Sequence, residues 1–149
     1  MTDSFEKFSF AISELYHYLH KITREEMEEY GLSGPHAIYF FILSRHKNGL
    51  TSAKLAEASF RNKADVSRAI TLLEKKGLVK KEGGASNSYR AKILLTSEGE
   101  LAAKKLRERA EIVAGEVGNG LTAEKRTALY DALEIIASNM REIFNDKIS

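Results

Sequence analysis

The chain has 149 residues, of which 43% are hydrophobic and 30% charged, so it can bury a core of its own. It contains no cysteine, which excludes disulfides, thiolate metal sites and cysteine nucleophiles. The net charge of +2 conceals a basic middle, because residues 44–95 hold 12 basic and 4 acidic residues (+8) and the remainder holds 11 and 17 (−6).

This segregation of charge indicates a polyanion partner for the middle of the chain, with a solvated basic surface as the alternative. No stretch approaches the roughly 18 apolar residues of a membrane span. The first 30 residues are rich in glutamate, which suits neither a signal peptide nor a transit peptide. We therefore expect a soluble cytoplasmic protein that does not enter a membrane.

The first predicted helix, about 4–29, carries a heptad-like apolar stripe along one face. Such a stripe is typical of a helix that packs against another long helix, which can lie within the same subunit or across a dimer. Pro35 suits the first turn of a second helix, 35–47, because its missing N–H costs nothing there. That helix is apolar nearly all round, which predicts the central core helix. The residues of the stripe are Phe5, Phe8, Ile12, Leu15, Leu19 and Ile22.

Two helices follow in the basic middle of the chain. Thr51 is placed as the N-cap of a short helix over 52–58, and Asn62 as the N-cap of a helix over 63–76. Gly77 is placed to end the later helix. Its apolar face consists of Val66, Ala69, Ile70 and Leu73. The opposite face is bare of large apolar groups, as is typical of a face that enters a groove. It consists of Ala64, Ser67, Arg68, Thr71 and Lys75.

After this helix the hydrophobic period changes from 3.6 to 2. Residues 78–82 and 89–95 predict the two strands of a β-hairpin with a polar loop, 83–88, at its tip. The order of short helix, turn, amphipathic helix and basic hairpin is that of a winged helix-turn-helix. The major groove of DNA admits one α-helix, so the inserted helix must show small and hydrogen-bonding side chains. An arginine near the hairpin tip can enter a minor groove.

Two longer helices complete the chain. Thr96 and Thr122 are placed as N-caps of helices over about 97–117 and 123–146. The last helix repeats its apolar residues at heptad-like spacing, so both ends of the chain carry such a stripe. The residues of the second stripe are Leu129, Leu133, Ile136, Met140 and Ile143.

Three segments resemble the multiple antibiotic resistance regulator (MarR) family, namely Leu50–Ala56, Asn62–Arg68 and Leu73–Val79. Leu95–Gly99 looks like the strand-to-helix junction of that family, and the long helices at both ends match its dimerisation elements. The resemblance implies a homodimeric transcription regulator, expected to be a repressor, that binds a pseudo-palindromic operator in double-stranded DNA. It also implies that a small aromatic or anionic effector bound near the dimer interface releases the DNA.

The expected fold is mainly α with a small β-hairpin wing, a winged helix-turn-helix DNA-binding domain flanked by long dimerisation helices. The whole chain, 1–149, is expected to form a single MarR-like domain. Within it, 35–95 is the winged helix-turn-helix, and 1–34 and 97–149 supply the dimerisation helices.

The sequence departs from the family pattern at two places. The family often has an Asp-x-Arg pair at the tip of the wing, whereas this chain reads Asn87-Ser88-Tyr89-Arg90. Arg90 matches the wing arginine only if the strand is one residue shorter than usual. The recognition helix has Asp65 where a serine or threonine is common. Its carboxylate can accept a hydrogen bond from a cytosine N4 amino group, or it can interact with the helix dipole.

The candidate DNA-binding residues lie on the two helices of the basic middle and on the wing. A winged-helix module that docks a protein instead of DNA is the alternative, although such a module would be expected to expose large apolar anchors on this face. The candidates are Ser52, Lys54, Asn62, Lys63, Ala64, Asp65, Ser67, Arg68, Thr71, Lys75, Asn87, Ser88, Arg90 and Lys92.

Aromatic and histidine side chains of the first two helices are the candidates for an effector site, although such a set is more often simply core. Tyr16, His17, His20 and Tyr39 are the lining residues we expect. His17 and His20 have a spacing that could chelate a metal, but a zinc site needs a third ligand, so no metal site and no cofactor are expected. The chain lacks a phosphate-binding glycine loop and a nucleophile elbow, so we expect that it is not an enzyme.

Overall fold

The computed structural model describes residues 2–84 and 90–145, and the chain separates into two compact units, Met1–Val113 and Ala114–Ser149. The described elements follow the predicted order, and the predicted fold class is confirmed. The expectation of a single domain stays a prediction. The elements are α1 (Thr2–Glu28), a 3₁₀ turn (Gly34–His36), α2 (Ala37–Ser44), α3 (Ser52–Ser59), α4 (Lys63–Lys75), β1 (Val79–Glu82), β2 (Lys92–Leu95), α5 (Ser97–Val117) and α6 (Ala123–Asn145).

The central helix α2 is shorter than the sequence predicts. A 3₁₀ turn containing Pro35 precedes it, and the helix ends at Ser44 rather than at residue 47. The last turn tightens because the Arg45 and His46 amides donate to carbonyl oxygens only three residues back, at 3.1 Å each. The helix is nevertheless central, since Phe40 is completely buried in the core of the first unit.

The predicted helix caps are confirmed. The side chains of Thr51, Asn62, Thr96 and Thr122 each accept a hydrogen bond from the main-chain N–H three residues later. Gly77 ends α4 with a φ of +74°, a value that glycine adopts without steric cost. The chain leaves α4 at Gly77 and continues into the hairpin.

The wing is a two-stranded antiparallel hairpin in which Val79 pairs with Leu95 and Glu82 with Lys92. The return strand begins at Lys92 rather than at residue 89, so Arg90 precedes the ladder. Leu50 adds a bridge to Ile93, with amide-to-carbonyl distances of 3.1 and 2.7 Å. The bridge ties the loop before α3 to the wing, which the sequence pattern did not predict.

Helix α1 packs against the turn that precedes α2. Gly34 is buried there, and a Cβ atom at this position would lie only 2.4 Å from the His20 carbonyl oxygen. The Thr23 hydroxyl donates to the Gly34 carbonyl oxygen at 3.2 Å. Met27, near the C-terminal end of α1, is fully buried. In the N-terminal two thirds of α1 the apolar stripe is largely exposed.

The second unit consists of the end of α5 and helix α6. No residue of α6 is buried, although its predicted apolar stripe is present. Leu129, Met140 and Ile143 are exposed, and Ile136 is half-buried. This helix therefore shows the same open apolar face that α1 shows in the first unit.

Candidate nucleic-acid interface

Helix α4 presents two chemically opposite faces, as predicted. Val66, Ile70 and Leu73 are buried in the core of the first unit. The opposite face is solvent-exposed and holds small, polar and charged side chains. Its members are Lys63, Ala64, Ser67, Arg68, Thr71, Glu74 and Lys75. A helix with such a face can lie in a major groove, because no large apolar group prevents contact with base edges.

The turn before α4 is fixed by hydrogen bonds that main-chain amides donate, one of them to the side chain of Asn62. Asn62 accepts the Asp65 amide at 2.8 Å, and the Arg61 amide donates to the Ala56 carbonyl oxygen at 3.2 Å. Phe60 adopts a left-handed conformation with φ of 55°, which is uncommon for a residue with a side chain. These contacts fix the position of α4 relative to α3.

Asp65 has a partner that the sequence reasoning did not name. Its carboxylate accepts a hydrogen bond from the Arg68 guanidinium and forms an ion pair with it on the same helix. The signal in the sequence was the three-residue spacing, which brings the two side chains to adjacent positions on a helix. Asp65 therefore stands beside the most prominent base-reading candidate of the exposed face.

The N-terminal end of α3 supplies two of the predicted residues. Ser52 is its first residue and is half-buried, and Lys54 is exposed. The Lys54 ammonium lies 4.0 Å from the Glu57 carboxylate. Main-chain N–H groups at such a helix start are donors that suit a phosphate oxygen.

The structure describes two of the four predicted DNA-binding residues of the wing. Arg90 and Lys92 are exposed, and Lys80 forms an ion pair of 3.1 Å with Glu82. Asn87 and Ser88 lie outside the described residues. The alignment of Arg90 with the wing arginine of the family stays a prediction.

An apolar cavity of about 490 Å³ lies between α1, the turn before α2 and the end of α3. Two of the four predicted effector residues, Tyr16 and His20, line it, and their rings meet edge to face with centroids 4.3 Å apart. Arg61 lies at the same cavity, where its guanidinium is 3.5 Å from the Tyr16 hydroxyl. Burial, followed by the positive charge of Arg61, lowers the pKa of His20.

The other two predicted effector residues do not line this cavity. Tyr39 instead lines a smaller and more polar cavity of about 330 Å³ beside α4, together with His36, Asp65 and Arg68. His17 lines neither, and its ring lies 5.2 Å from that of Tyr18. On a helix, residues one position apart point in different directions, so Tyr16 and His17 cannot both face one cavity wall.

The sequence reasoning missed Phe60 and Arg61, treating both as parts of a turn. Both line the larger cavity, and Phe60 is 85% exposed. Arg61 meets a tyrosine 45 residues earlier in the chain, so no local pattern could have identified the contact. The available signal was composition, since a phenylalanine and an arginine are unusual in so short a turn.

Across residues 2–84 and 90–145 there is no group of three or more histidine or acidic side chains arranged to hold a metal ion. None of the described helices combines the length and apolarity that crossing a bilayer requires.

The geometry defines a winged helix-turn-helix, and one family model matches the part of the chain that forms most of it. Residues 30–86 match the family model described as MarR family. This segment contains α2 to β1, so the predicted resemblance to the MarR family is confirmed. The family comprises transcription regulators rather than enzymes, in agreement with the expectation from the motifs. A comparison with curated protein sequences found no significant match.

Solved structures share the fold over almost the whole chain. A MarR transcriptional regulator from Methanosarcina mazei Go1 is 22% identical over 93% of this chain and 99% of that one, with a TM-score of 0.82. The transcriptional regulator SlyA is 22% identical over 93% and 96%, with a TM-score of 0.83. The S. aureus MepR–DNA complex is 20% identical over 89% and 97%, with a TM-score of 0.77. The chain has the fold of MarR transcription regulators.

Proposed function

We propose that this protein is a sequence-specific DNA-binding transcription regulator, in which α4 reads base edges in the major groove. The observation that carries the proposal is the exposed face of α4, which lacks large apolar side chains and stands in the most basic part of the chain. The similarity in fold to MepR, solved in complex with DNA, supports it.

The proposed contacts divide into two kinds. Ser67, Arg68 and Thr71 are exposed along α4 and are the candidates for contact with base edges. Lys54 of α3 and Lys92 of the wing are the candidates for contact with phosphates, which hold the protein in register but carry no sequence information. This division predicts different effects of substitution on affinity and on specificity.

We further propose that the protein acts as a homodimer on a pseudo-palindromic operator. The apolar stripes of α1 and α6 support this, because large side chains such as Phe5 and Leu15 are 70% and 60% exposed. Contiguous apolar surface of this kind is rare on a monomer and is typical of an interface. A second copy of the chain would cover these stripes and present a second α4 to the operator.

Repression that a small effector relieves is the regulatory scheme we propose. The cavity of about 490 Å³ has the size of a small-molecule site, and aromatic and aliphatic side chains dominate its walls. Arg61 supplies a positive charge at the same cavity, which favours an aromatic or anionic compound. Because Arg61 directly precedes the N-cap of α4, an occupant would act on the element that holds the recognition helix.

The test is selection of bound sequences from random DNA duplexes, repeated with and without aromatic carboxylates. We expect enrichment of a sequence with two-fold symmetry, and weaker binding in the presence of an active compound. Arg68→Ala should reduce enrichment at one position of each half-site. Lys105→Ala, which removes one positive charge from α5, is the matched control and should leave the enriched sequence unchanged.

Failure of every duplex to be enriched would contradict the proposal. It would favour the alternative of a winged-helix module that docks a protein. Enrichment of a sequence without internal symmetry, together with a monomeric mass in sedimentation, would contradict only the dimeric part of the proposal. An enriched sequence whose recovery no compound changes would contradict only the effector part.

A further inference from the structure

The ion pair between Asp65 and Arg68 lies at one edge of the proposed DNA-reading face, beside the smaller cavity. The side chain of Arg68 is 71% exposed and that of Asp65 is 44% exposed, so DNA can reach both. A carboxylate at this place is unfavourable beside phosphates, since it repels them. Its presence beside Arg68 at the edge of this face therefore requires a physical explanation.

The backbone of Asp65 is fixed by its place in the helix. It is the third residue of α4, and its amide donates to the Asn62 side chain at 2.8 Å. A carboxylate in the first turn also interacts favourably with the positive end of the helix dipole. Asp65 is thus the anchored member of the pair, and the long Arg68 side chain is the member whose freedom the contact restricts.

An arginine guanidinium is planar and carries five N–H donors in a rigid fork. The contact with Asp65 uses one terminal nitrogen of Arg68, which leaves the other donors for a base edge. A side chain that is already held in one orientation loses less conformational entropy when it binds. The pair can therefore favour one docking geometry over the many that a lone arginine would sample.

We propose that Asp65 is a positioning residue that determines specificity, because it orients the Arg68 guanidinium for one base pair of the operator. This inference rests on the proposed function as a DNA-binding regulator. Asp65 itself contacts no base in this scheme. It lowers affinity for DNA in general through its charge, and it raises the preference for the cognate base pair through Arg68.

The two effects separate in experiment because they act on different quantities. Removal of the Asp65 charge should strengthen binding to non-cognate DNA, since one repulsive charge is lost in each subunit. The same change should weaken the discrimination between the cognate base pair and its replacements. Substitution of a residue that only stabilises the helix would not strengthen non-cognate binding and weaken discrimination at the same time.

The chain offers a matched control in the Lys54–Glu57 pair of α3. It has the same three-residue spacing and the same charges, and both side chains are exposed. Glu57→Gln removes one negative charge from the helix-turn-helix, as Asp65→Asn does, but it leaves Arg68 and its partner intact. Any effect of net charge alone should appear in both variants.

The experiment measures the binding of the full chain to the selected operator and to operators that differ at the base pair identified with Arg68→Ala. Wild-type discrimination at that position is expected to be about 5- to 100-fold. Asp65→Asn should reduce it by about fivefold or more while non-cognate binding strengthens, and Glu57→Gln should leave it unchanged. Asp65→Asn combined with Arg68→Ala should discriminate no less than Arg68→Ala alone.

Asp65→Glu is a second variant, which tests the inference even if Asp65→Asn does not fold. The longer side chain keeps the negative charge near the helix start but moves its oxygen atoms relative to Arg68. We expect reduced discrimination without the gain in non-cognate affinity, because the charge remains. Thermal melting of each variant checks that α4 is still formed.

Three results would overturn the inference. The first is unchanged discrimination in both Asp65 variants, which would leave Asp65 as a repulsive charge only. The second is a loss of preference at a different base pair that persists when Arg68 is absent, which would mean that Asp65 reads a base directly. The third is a wild-type chain that selects no sequence, which would overturn the proposed function as well, whereas the first two leave it standing.

Discussion

Helices α4 and α1 both carry an apolar stripe, but the stripe of α4 is buried and most of the stripe of α1 is exposed. In α4 the stripe is buried within the chain, where Val66 and Leu73 have no exposed surface. In α1 most of the stripe is exposed, and Leu19 keeps 56% of its surface. Similar periodicity thus accompanies a buried face in one helix and an exposed face in the other.

The difference shows that periodicity identifies an apolar face but not its partner. Helix α4 is followed at once by the hairpin and preceded by α3, so neighbouring elements cover its inner face. Helix α1 extends beyond its contact at Gly34, and the described elements bury little of its N-terminal stripe. We attribute the buried stripe to folding of the subunit and the exposed stripes to assembly.

The largest expected effect is at the exposed stripe of α6. Leu133→Glu should place an unpaired charge in the proposed interface once per subunit, at a cost of at least about 4 kcal/mol per dimer. Sedimentation at micromolar concentration should then show a monomer. Ile135→Glu is the control, because Ile135 is exposed and lies about 160° away from Leu133 around the helix. Equal dissociation by both variants would contradict assignment of the interface to the stripe.

The next effect contrasts the two stripes directly. Ile70→Ala creates a cavity in the core and should lower the free energy of unfolding by about 3 kcal/mol. Leu15→Ala should lower it by much less in dilute solution, where the dimer dissociates, and by more as protein concentration rises. Chemical denaturation at two protein concentrations measures both. A concentration-independent loss for Leu15→Ala would show that its stripe is covered within the subunit.

Local signals predicted much of the fold. The four caps and the terminal glycine of α4 act within a few residues of themselves, so the sequence around Thr51, Asn62, Thr96, Thr122 and Gly77 was sufficient to identify them. The exposed face of α4 followed from its period in the same way. These features depend on neighbours along the chain rather than on neighbours in space.

The candidate site was predicted less completely, because parts of it depend on contacts between distant residues. The Arg61–Tyr16 contact and the Leu50–Ile93 bridge join segments 45 and 43 residues apart. Tyr39 lines the cavity beside α4 rather than the cavity of Tyr16 and His20, because helix periodicity does not show which neighbouring helix lies opposite. The Asp65–Arg68 pair is a local feature, because its three-residue spacing brings the two side chains together on the helix.

A smaller effect is expected on the salt dependence of DNA binding, which should change on substitution in the basic wing but not in the terminal helices. Each phosphate contact changes the salt dependence of DNA binding by about 0.9 log unit per log unit of salt, and a dimer has two wings. Arg90→Ala should therefore flatten the slope by up to roughly 2. Lys7→Ala in α1 removes an equal charge and should leave the slope unchanged. If Arg90→Ala leaves both affinity and slope unchanged, the wing does not hold DNA through this residue.

If Arg90 enters a narrow minor groove instead, its substitution should weaken binding more on A·T-rich flanks than on G·C-rich flanks. Affinity measured against salt on both kinds of flank distinguishes this mode from phosphate contact. An equal loss on the two kinds of flank with a flatter slope would support phosphate contact.

The smallest expected effect concerns His36, which lies in the turn between α1 and the core. Burial lowers the pKa of His36 below its ordinary value, and the positive charge of Arg61 lowers it further. Folding therefore favours the neutral imidazole. As pH falls through about 6.5, the unfolded chain takes up a proton that the folded chain resists, so the free energy of unfolding decreases.

This decrease should level off once the pH lies below the pKa of His36 in the folded protein. Denaturation between pH 8 and pH 5 should show a weaker dependence in His36→Gln, because this titrating group is absent. Arg61→Gln should raise the pKa of His36 in an NMR titration, since a repelling charge is removed. An unchanged titration would mean that the charge of Arg61 does not act on His36.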